Sequence, residues 1–177
     1  MEKMRVYIVR HPETEFNQKE IVQGWADSNL TEKGKRIAER LGMRLKNKDI
    51  AKIYSSDLGR AMQTAKIINK YLNVEIIPKT ELRERNFGKF NGKPVSLIKQ
   101  KVDLEDGVLV LPNGESIKEM KKRVLQFIKQ LKEKKPVLMV THEGCLRVIL
   151  TEKYNVKLNS ARGNTSSEKI YNVKIKD

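Results

Sequence analysis

The stretch Met4–Asn17, MRVYIVRHPETEFN, decides the fold of this chain. It opens with a nearly continuous apolar run over residues 6–9, which is the pattern of a β-strand buried on both faces. The run stops at Arg10 and His11, so these two side chains come just after the carboxyl end of the strand. In open α/β sheets, ligands bind at this end of the strands. An arginine there suits a phosphate or carboxylate, and a histidine there is a candidate base or nucleophile.

Two further apolar runs end in polar residues in the same way. Ala51–Tyr54 leads into the Ser55-Ser56-Asp57 segment and a helix that carries Arg60, whereas Val137–Val140 leads to His142. If these strands are parallel, as alternation of strands and helices favours, the polar residues converge at one edge of the sheet. Two arginines and two histidines in one pocket form a set suited to an oxyanion.

Amphipathic helices separate the strands. Their predicted starts are an N-cap at Thr31, capping oxygens of Ser56 and Asp57, a capping box of Ser116 with Glu119, and residue 143. The third helix is predicted to end at Pro136 and the fourth at about Tyr154, and each of the first three has an apolar stripe facing a core.

Shorter strands complete the predicted sheet. Val74–Ile77 forms a short strand closed by Pro78, and alternating residues over 171–175 predict a half-exposed edge strand. Residues 81–111 have little periodicity and are predicted to be loop with one short helix. The whole pattern predicts the α/β class: a three-layer α/β/α sandwich with a mostly parallel central sheet and one antiparallel edge strand.

The length of 177 residues predicts a single domain over 1–177, with a short insertion at about 93–111 that flanks the site. No apolar window is long enough to cross a bilayer, and the first four residues lead into a strand rather than a signal peptide. We therefore expect a cytoplasmic protein without a membrane partner. The single cysteine, Cys145, excludes an intramolecular disulfide and a multi-cysteine metal site.

Two explanations fit the formal net charge of +15. A basic surface attracts nucleic acid or acidic lipid, whereas a lysine-rich composition spreads Lys and Glu over solvated helix faces. The lysines are dispersed along the chain, and aromatic residues that would stack on bases are only 6%. The second explanation is favoured, and we expect no specific nucleic-acid partner.

The chain has only two histidines, His11 and His142, and both follow buried strands. One such histidine would often be a satisfied core or capping residue, but a pair beside arginines and helix starts indicates a site. Zinc is the alternative, with a third ligand from the dispersed acidic residues. Because cysteine partners and an HExxH spacing are missing from the sequence, we expect no metal and no cofactor.

Seven segments match, in the right order, the motifs of one enzyme family over nearly the whole chain. They are Arg10–Thr14 with Asn17, Gln23–Trp25, Asp27–Gly34, Ser55–Ala65, Leu82–Gly92, Pro112–Ser116 and Val140–His142. On these motifs, the sequence resembles the histidine phosphatase superfamily, in its phosphoglycerate-mutase-like branch and of the phosphatase type.

The resemblance implies phosphoryl transfer through a covalent phosphohistidine on His11. Arg10, Arg60 and His142 would hold the three equatorial oxygens and spread the transition-state charge. Glu84 would act as the general acid and then as the general base. The residues expected to contact the phosphate or the leaving group are Asn17, Gln23 and Gly24. Three other acidic residues are expected only at helix caps and on the surface: Asp57, Glu81 and Glu115.

Two positions depart from the family pattern, which usually has glycine after each histidine. Pro12 removes an N–H and fixes φ, so either that N–H is dispensable or the loop differs. Glu143 would repel a phosphate if it pointed inward. We expect it to point outward as an early residue of the next helix, where acidic side chains are favoured.

The short insertion favours hydrolysis over transfer. Family members that interconvert phosphoglycerates carry a longer insertion that lids the pocket, whereas here only residues 95–111 separate the Gly92 region from the Pro112 motif. An open pocket admits water to the phosphohistidine. We therefore expect a metal-independent histidine acid/alkaline-type phosphatase that acts on a small phosphorylated substrate. Phosphoglycerate mutase and a non-catalytic phosphate-binding or regulatory protein remain the alternatives, and the sequence is silent on the natural substrate and the oligomeric state.

Overall fold

The computed structural model describes residues 4–100, 104–105, 108–109, 111–154 and 165–175. The strands are β1 Met4–Arg10, β2 Lys52–Ser56, β3 Glu75–Lys79, β4 Leu104–Glu105, β5 Val108–Leu109, β6 Val137–Thr141 and β7 Tyr171–Ile175. The helices are α1 Glu15–Gln18, α2 Glu32–Leu45, α3 Gly59–Leu72, α4 Val95–Gln100, α5 Ile117–Gln130 and α6 Glu143–Tyr154. No described helix is long and apolar enough to cross a membrane.

Five strands form the central sheet in the order β3-β2-β6-β1-β7. The first four are parallel to one another, and β7 pairs antiparallel with β1 at one edge. In this register Val140 pairs with Val9 on one side and with Ser55 on the other. The three inner strands therefore end at the same level, which confirms the predicted mostly parallel sheet with an antiparallel edge strand.

Helices cover both faces of the sheet and enclose two apolar cores. Helices α2 and α3 pack on the face that carries Tyr7, Val9 and Ile53, and α5 and α6 pack on the face that carries Ile8 and Met139. The residues that point to opposite faces alternate along β1, as the pleat of a strand requires. This arrangement is the predicted three-layer sandwich.

Two predicted boundaries are wrong. Strand β3 runs through Pro78 to Lys79, because β3 is an edge strand where the missing N–H of proline disrupts no ladder. Helix α5 ends at Gln130 rather than at Pro136, because Leu131 turns extended at the C-cap. The N-cap at Thr31 and the capping box of Ser116 are confirmed by their side-chain hydrogen bonds.

Residues 81–111 contain more structure than the predicted loop and short helix. A 3₁₀ turn covers Thr80–Leu82, a second covers Gly88–Phe90, and α4 and the antiparallel pair β4–β5 follow. The predicted insertion at 93–111 lies partly outside the described residues. The assignment of residues 1–177 to one domain stays a prediction.

Candidate active site

The ends of β1 and β6 and the start of α3 bring the two histidines and Arg60 together. The ring centroids of His11 and His142 are 5.0 Å apart at an interplanar angle of 61°. Nε of Arg60 lies 3.3 Å from Nε2 of His11. All three side chains are buried, and only His11 keeps a measurable exposure, 4%. The shared level of the strand ends produces this convergence.

The hydrogen bonds of His11 define its tautomer. Nδ1 lies 2.8 Å from the carbonyl oxygen of Pro12, and a carbonyl only accepts, so Nδ1 carries the proton. In the neutral ring Nε2 then holds the lone pair, which accepts from Nε–H of Arg60. The backbone N–H of His11 continues the sheet ladder to Thr141. Pro12 thus contributes a carbonyl that orients the ring of His11, a role that the sequence pattern did not predict.

Both histidines are held in the neutral form. Burial lowers the pKa of His11 well below its ordinary value, and the positive charges of Arg60 and Arg10 lower this pKa further. The pKa of His142 is likewise lowered, first by burial and then by Arg60 and other nearby cations. A neutral imidazole, which has one unprotonated nitrogen, is the form that attacks an electrophile.

Backbone carbonyls and one carboxylate clamp the guanidinium of Arg60. Its Nη2 donates to the Gly24 carbonyl at 2.8 Å, and its Nη1 donates to the Ala26 carbonyl at 3.0 Å. Asp27 accepts from the same Nη1 at 3.1 Å and also accepts from the backbone N–H groups of Gly59 and Arg60. Asp27 therefore caps the N-terminus of α3 and also orients the side chain of Arg60. The sequence analysis predicted neither role.

The predicted cap at Asp57 is wrong. The carboxylate of Asp57 instead accepts from Nε of Arg83 at 2.7 Å and from its Nη2 at 2.5 Å. This bidentate pair lowers the pKa of Asp57. Ser56 does contribute, because its Oγ accepts from the backbone N–H of Leu58 at 3.3 Å.

Arg10 and Glu143 form an ion pair, with Nη1 of the arginine 2.9 Å from Oε2 of the glutamate. The expectation that Glu143 points outward is therefore wrong. Glu143 is the first residue of α6, and its carboxylate turns to the cation that follows β1. Nε of Arg10 is buried and has no hydrogen-bond partner in the described part of the chain. Arg10 therefore retains one donor for a ligand at this edge.

Glu84 reaches the same region from an irregular segment. Its Oε1 accepts from the backbone N–H of Arg85 at 2.8 Å, and its Oε2 accepts from that of Gly144 at 3.1 Å. Gly144 lies in the first turn of α6, two residues after His142, where the helix dipole favours a carboxylate. A Cβ atom on Gly144 would collide with Oε1 of Glu84, so this approach requires glycine.

Arg123 of α5 holds the segment that carries Glu84. Its Nη1 and Nη2 donate to three backbone carbonyls at 2.8–2.9 Å, those of Glu81, Arg83 and Glu84. Its Nε and Nη2 also donate to the carboxylate of Glu115 at 2.5 and 2.7 Å. The side chain of Glu115 is only 13% exposed, so its assignment to caps and surface is wrong.

Trp25 ties this segment to the loop that clamps Arg60. Its Nε1 donates to the carbonyl of Glu84 at 2.9 Å, and the guanidinium of Arg83 lies 4.7 Å from the ring centroid. Both neighbours of Trp25, Gly24 and Ala26, give their carbonyls to Arg60. The two halves of the site are thus connected through one exposed indole.

The three predicted substrate-binding residues lie around the site, and each has an oxygen atom that is already engaged within the protein. Asn17 borders a cavity of about 200 Å³ that Arg10 and His11 also line. Its Oδ1 accepts from the backbone N–H of Thr14 at 3.0 Å and from Oγ1 of Thr14 at 2.9 Å. Oε1 of Gln23 lies 2.9 Å from the same hydroxyl and shares its single hydrogen with Asn17, and the carbonyl of Gly24 accepts from Arg60.

The described residues around the site supply neither a three-residue metal centre nor a reactive thiol. Among the described residues, no three His, Cys, Asp or Glu side chains group closely enough to hold a metal ion. The thiol of Cys145 is buried, and burial raises its pKa to about 12. A group that stays protonated at neutral pH is a poor nucleophile. The buried, neutral ring of His11 is therefore a candidate nucleophile at this site.

The chain was compared with known proteins. It matches the family model of the histidine phosphatase superfamily (branch 1) over residues 6–173. A probable phosphoglycerate mutase, GpmB of Yersinia pestis (strain Pestoides F), is 34% identical over 170 residues, covering 90% of this chain and 79% of that protein.

Solved structures show the same fold. YhfR of Bacillus stearothermophilus superposes with a TM-score of 0.83 at 32% identity, covering 90% of this chain and 84% of that one. The α-ribazole phosphatase from Shigella flexneri has a TM-score of 0.78 at 26% identity, with 89% and 83% covered. Because the family model spans nearly the whole sequence, this chain belongs to the histidine phosphatase superfamily, branch 1.

Proposed function

We propose that the protein is a phosphomonoesterase that hydrolyses a small phosphate ester through a covalent phosphohistidine on His11. The carrying observation is the orientation of this ring, whose Nδ1 is held by the Pro12 carbonyl while Nε2 keeps its lone pair beside Arg60. A buried, neutral and oriented imidazole among cations is suited to attack a phosphorus atom.

In the first step, Nε2 of His11 attacks phosphorus in line with the ester oxygen. The N–P bond forms as the P–O bond to the leaving group breaks. Arg10, Arg60 and His142 bind the three equatorial oxygens and stabilise their charge, so the reaction requires no metal ion. Glu84 donates a proton to the leaving alkoxide, which departs as an alcohol.

In the second step, water attacks the phosphorus atom of the phosphohistidine. Glu84, now a carboxylate, takes a proton from the water as the new O–P bond forms and the N–P bond breaks. Inorganic phosphate leaves, and His11 returns to its neutral form. In this mechanism Asn17, Gln23 and Gly24 line the phosphate and leaving-group side.

The competing function is the phosphoglycerate mutase reaction, which the name of the Yersinia relative suggests. A mutase must keep water away from the phosphohistidine until the phosphoryl group is transferred. The short segment at 93–111 supports hydrolysis, because few residues are present to cover the pocket. A cytoplasmic location, a single domain and independence of nucleic acid belong to the same proposal.

The first test is hydrolysis of p-nitrophenyl phosphate with EDTA present, in wild type and in His11→Ala. We expect turnover in wild type and none in the variant, with circular dichroism showing that both are folded. Rapid quenching should trap an acid-labile, alkali-stable phosphoenzyme in wild type only.

Three outcomes count against the proposal. Activity that EDTA removes but His11→Ala retains overturns the mechanism. Transfer from 2,3-bisphosphoglycerate to 3-phosphoglycerate without release of phosphate favours the mutase. Phosphate binding without any turnover favours the non-catalytic alternative.

A further inference from the structure

The rings of His11 and His142 each have one nitrogen that lies against a protein oxygen, and these two oxygens differ in hydrogen-bonding chemistry. Nδ1 of His11 faces an acceptor, the carbonyl of Pro12. Nε2 of His142 instead lies 2.8 Å from Oγ of Ser56, a hydroxyl that can donate as well as accept. Nδ1 of His142 is buried and, among the described residues, has no hydrogen-bond partner.

The bonding of Ser56 limits where its hydroxyl hydrogen goes. One lone pair of Oγ accepts from the backbone N–H of Leu58 at 3.3 Å. The other described partner of Oγ is Nε2 of His142. If Nε2 carried the proton, the hydroxyl hydrogen of this buried serine would have no acceptor among the described residues. If the hydroxyl donates to Nε2, both atoms are satisfied.

We infer that Ser56 donates its hydroxyl hydrogen to Nε2 of His142 and thereby places the ring proton on Nδ1, where it serves as a donor to a phosphoryl oxygen. This inference rests on the proposed function for the identity of the ligand. It makes Ser56 a positioning residue for His142, as the Pro12 carbonyl is for His11. The group bonded to one ring nitrogen then decides whether the other nitrogen carries a proton. The Pro12 carbonyl leaves a lone pair on Nε2 of His11, and the Ser56 hydroxyl leaves an N–H on Nδ1 of His142.

The charges around the ring favour this arrangement. Burial and the cations Arg60, Arg10 and Arg123 oppose a positive charge on His142. A neutral ring has one N–H, which must therefore be on the correct nitrogen before the phosphate arrives. A ring with its lone pair towards the phosphate would repel the anion, whereas a fixed Nδ1–H binds it without proton uptake.

Nitrogen NMR tests the tautomer without any turnover. Because the chain has only two histidines, a ¹H–¹⁵N multiple-bond spectrum of uniformly labelled protein resolves both rings, and His11→Gln assigns them. We expect Nδ1 of His142 to be protonated and Nε2 to be unprotonated in wild type. A His142 ring protonated on Nε2 overturns the inference.

Variants of the serine pair sharpen the test. In Ser56→Ala, the ring proton of His142 should no longer be confined to Nδ1. Ser56→Thr, which keeps the hydroxyl, should preserve the wild-type tautomer. Ser55→Ala is the matched control, because this neighbouring buried hydroxyl donates to the carbonyl of Ser56 rather than to a histidine. An unchanged His142 tautomer in Ser56→Ala overturns the inference.

Titration with inorganic phosphate links the tautomer to binding. We expect Ser56→Ala to bind phosphate about tenfold more weakly, the equivalent of one lost hydrogen bond, and Ser56→Thr to restore most of the affinity. If wild type and Ser56→Ala bind phosphate equally although the His142 tautomer differs between them, the link between the tautomer and phosphate binding is overturned. Failure of wild type to hydrolyse esters would overturn the proposed function, whereas the NMR result stands or falls separately.

Discussion

The two halves of the active site are built in different ways. His11 and His142 follow parallel strands whose backbone hydrogen bonds set the level of their ends. Arg60 stands in the first turn of a long helix, and the loop of Gly24, Ala26 and Asp27 clamps its guanidinium. Glu84 stands between two 3₁₀ turns, in a segment held by side chains from distant parts of the chain. The histidine half is thus positioned mainly by the sheet, and the carboxylate half is positioned by side-chain tethers.

This difference suggests a division of labour. Charge stabilisation tolerates little movement, because donors must be in place before the transition state forms. Proton transfer to different leaving groups needs a carboxyl that stays reachable from the pocket. Substitutions in the histidine half should therefore cost more activity than substitutions in the carboxylate half.

Arg60→Met should produce the largest loss. It removes a buried cation from the histidine half and leaves the Gly24 and Ala26 carbonyls without their partner. We expect kcat/KM for p-nitrophenyl phosphate to fall about 10⁴-fold, the scale of an arginine that stabilises transferring phosphoryl groups. Steady-state kinetics measures this, and Lys66→Met, an exposed cation on the same helix, should change the rate less than about twofold. A similar loss in both variants would point to helix stability instead.

Glu84→Gln should reveal the leaving-group role of the carboxylate half. We expect kcat/KM to fall about 10³-fold for an alkyl phosphate, whose alkoxide needs a proton. For p-nitrophenyl phosphate, whose phenolate leaves unprotonated, the fall should be less than about tenfold, because kcat/KM reports only the steps up to the phosphohistidine. Glu81→Gln, in the same segment, is the control. Equal losses for both esters would contradict the role of Glu84 as general acid.

Sequence alone predicted the histidine half well and the carboxylate half poorly, for a physical reason. Apolar runs that end in polar residues locate strand ends, and strand–helix alternation aligns them, so the convergence of His11 with His142 follows from local patterns. The resemblance to the family was needed to single out Glu84. No local sequence pattern predicts that Arg123 donates to the carbonyls of residues 81, 83 and 84.

The wrong predictions have the same origin. Asp57 has the chemistry and the position of an N-cap, yet Arg83 takes its carboxylate and Asp27, from another loop, caps α3. Glu143 has the position of a solvated first-turn acid, yet Arg10 lies within reach. Several side chains competed for each partner, and only the tertiary fold decides which one wins.

Arg123→Met tests whether the hydrogen bonds of Arg123 position Glu84. Releasing three backbone carbonyls should displace Glu84, and a displacement of about 1 Å costs on the order of 10²-fold in rate. We expect this loss for the alkyl phosphate and a smaller one for p-nitrophenyl phosphate, the same signature as Glu84→Gln. Lys122→Met, the exposed neighbour, is the control.

A double variant separates positioning from general loss of structure. If Arg123 acts through Glu84, adding Arg123→Met to Glu84→Gln should reduce kcat/KM by less than about threefold further. Full multiplication of the two losses would mean that Arg123 stabilises the whole fold rather than the position of one carboxyl.

The histidine half should also leave a signature in stability against pH. In the native state the pKa values of His11 and His142 lie well below 6.5, because both rings are buried beside cations. In the unfolded chain they titrate near 6.5. Below that pH the unfolded state binds more protons than the native state, so the free energy of unfolding falls as the pH falls.

Urea unfolding at pH 7.5 and pH 5.5 measures this contribution. Each buried histidine should remove about 1.4 kcal/mol over that interval, a factor of ten in the folding constant. His142→Gln should therefore lose less stability than wild type by about that amount. The Asp57–Arg83 pair contributes little in this window, because the lowered pKa of Asp57 makes its stabilisation disappear only at more acidic pH. A loss of equal size in wild type and His142→Gln would show that the buried ring does not resist protonation, and the contrast between a charge-excluding histidine half and a tethered carboxylate half would fail.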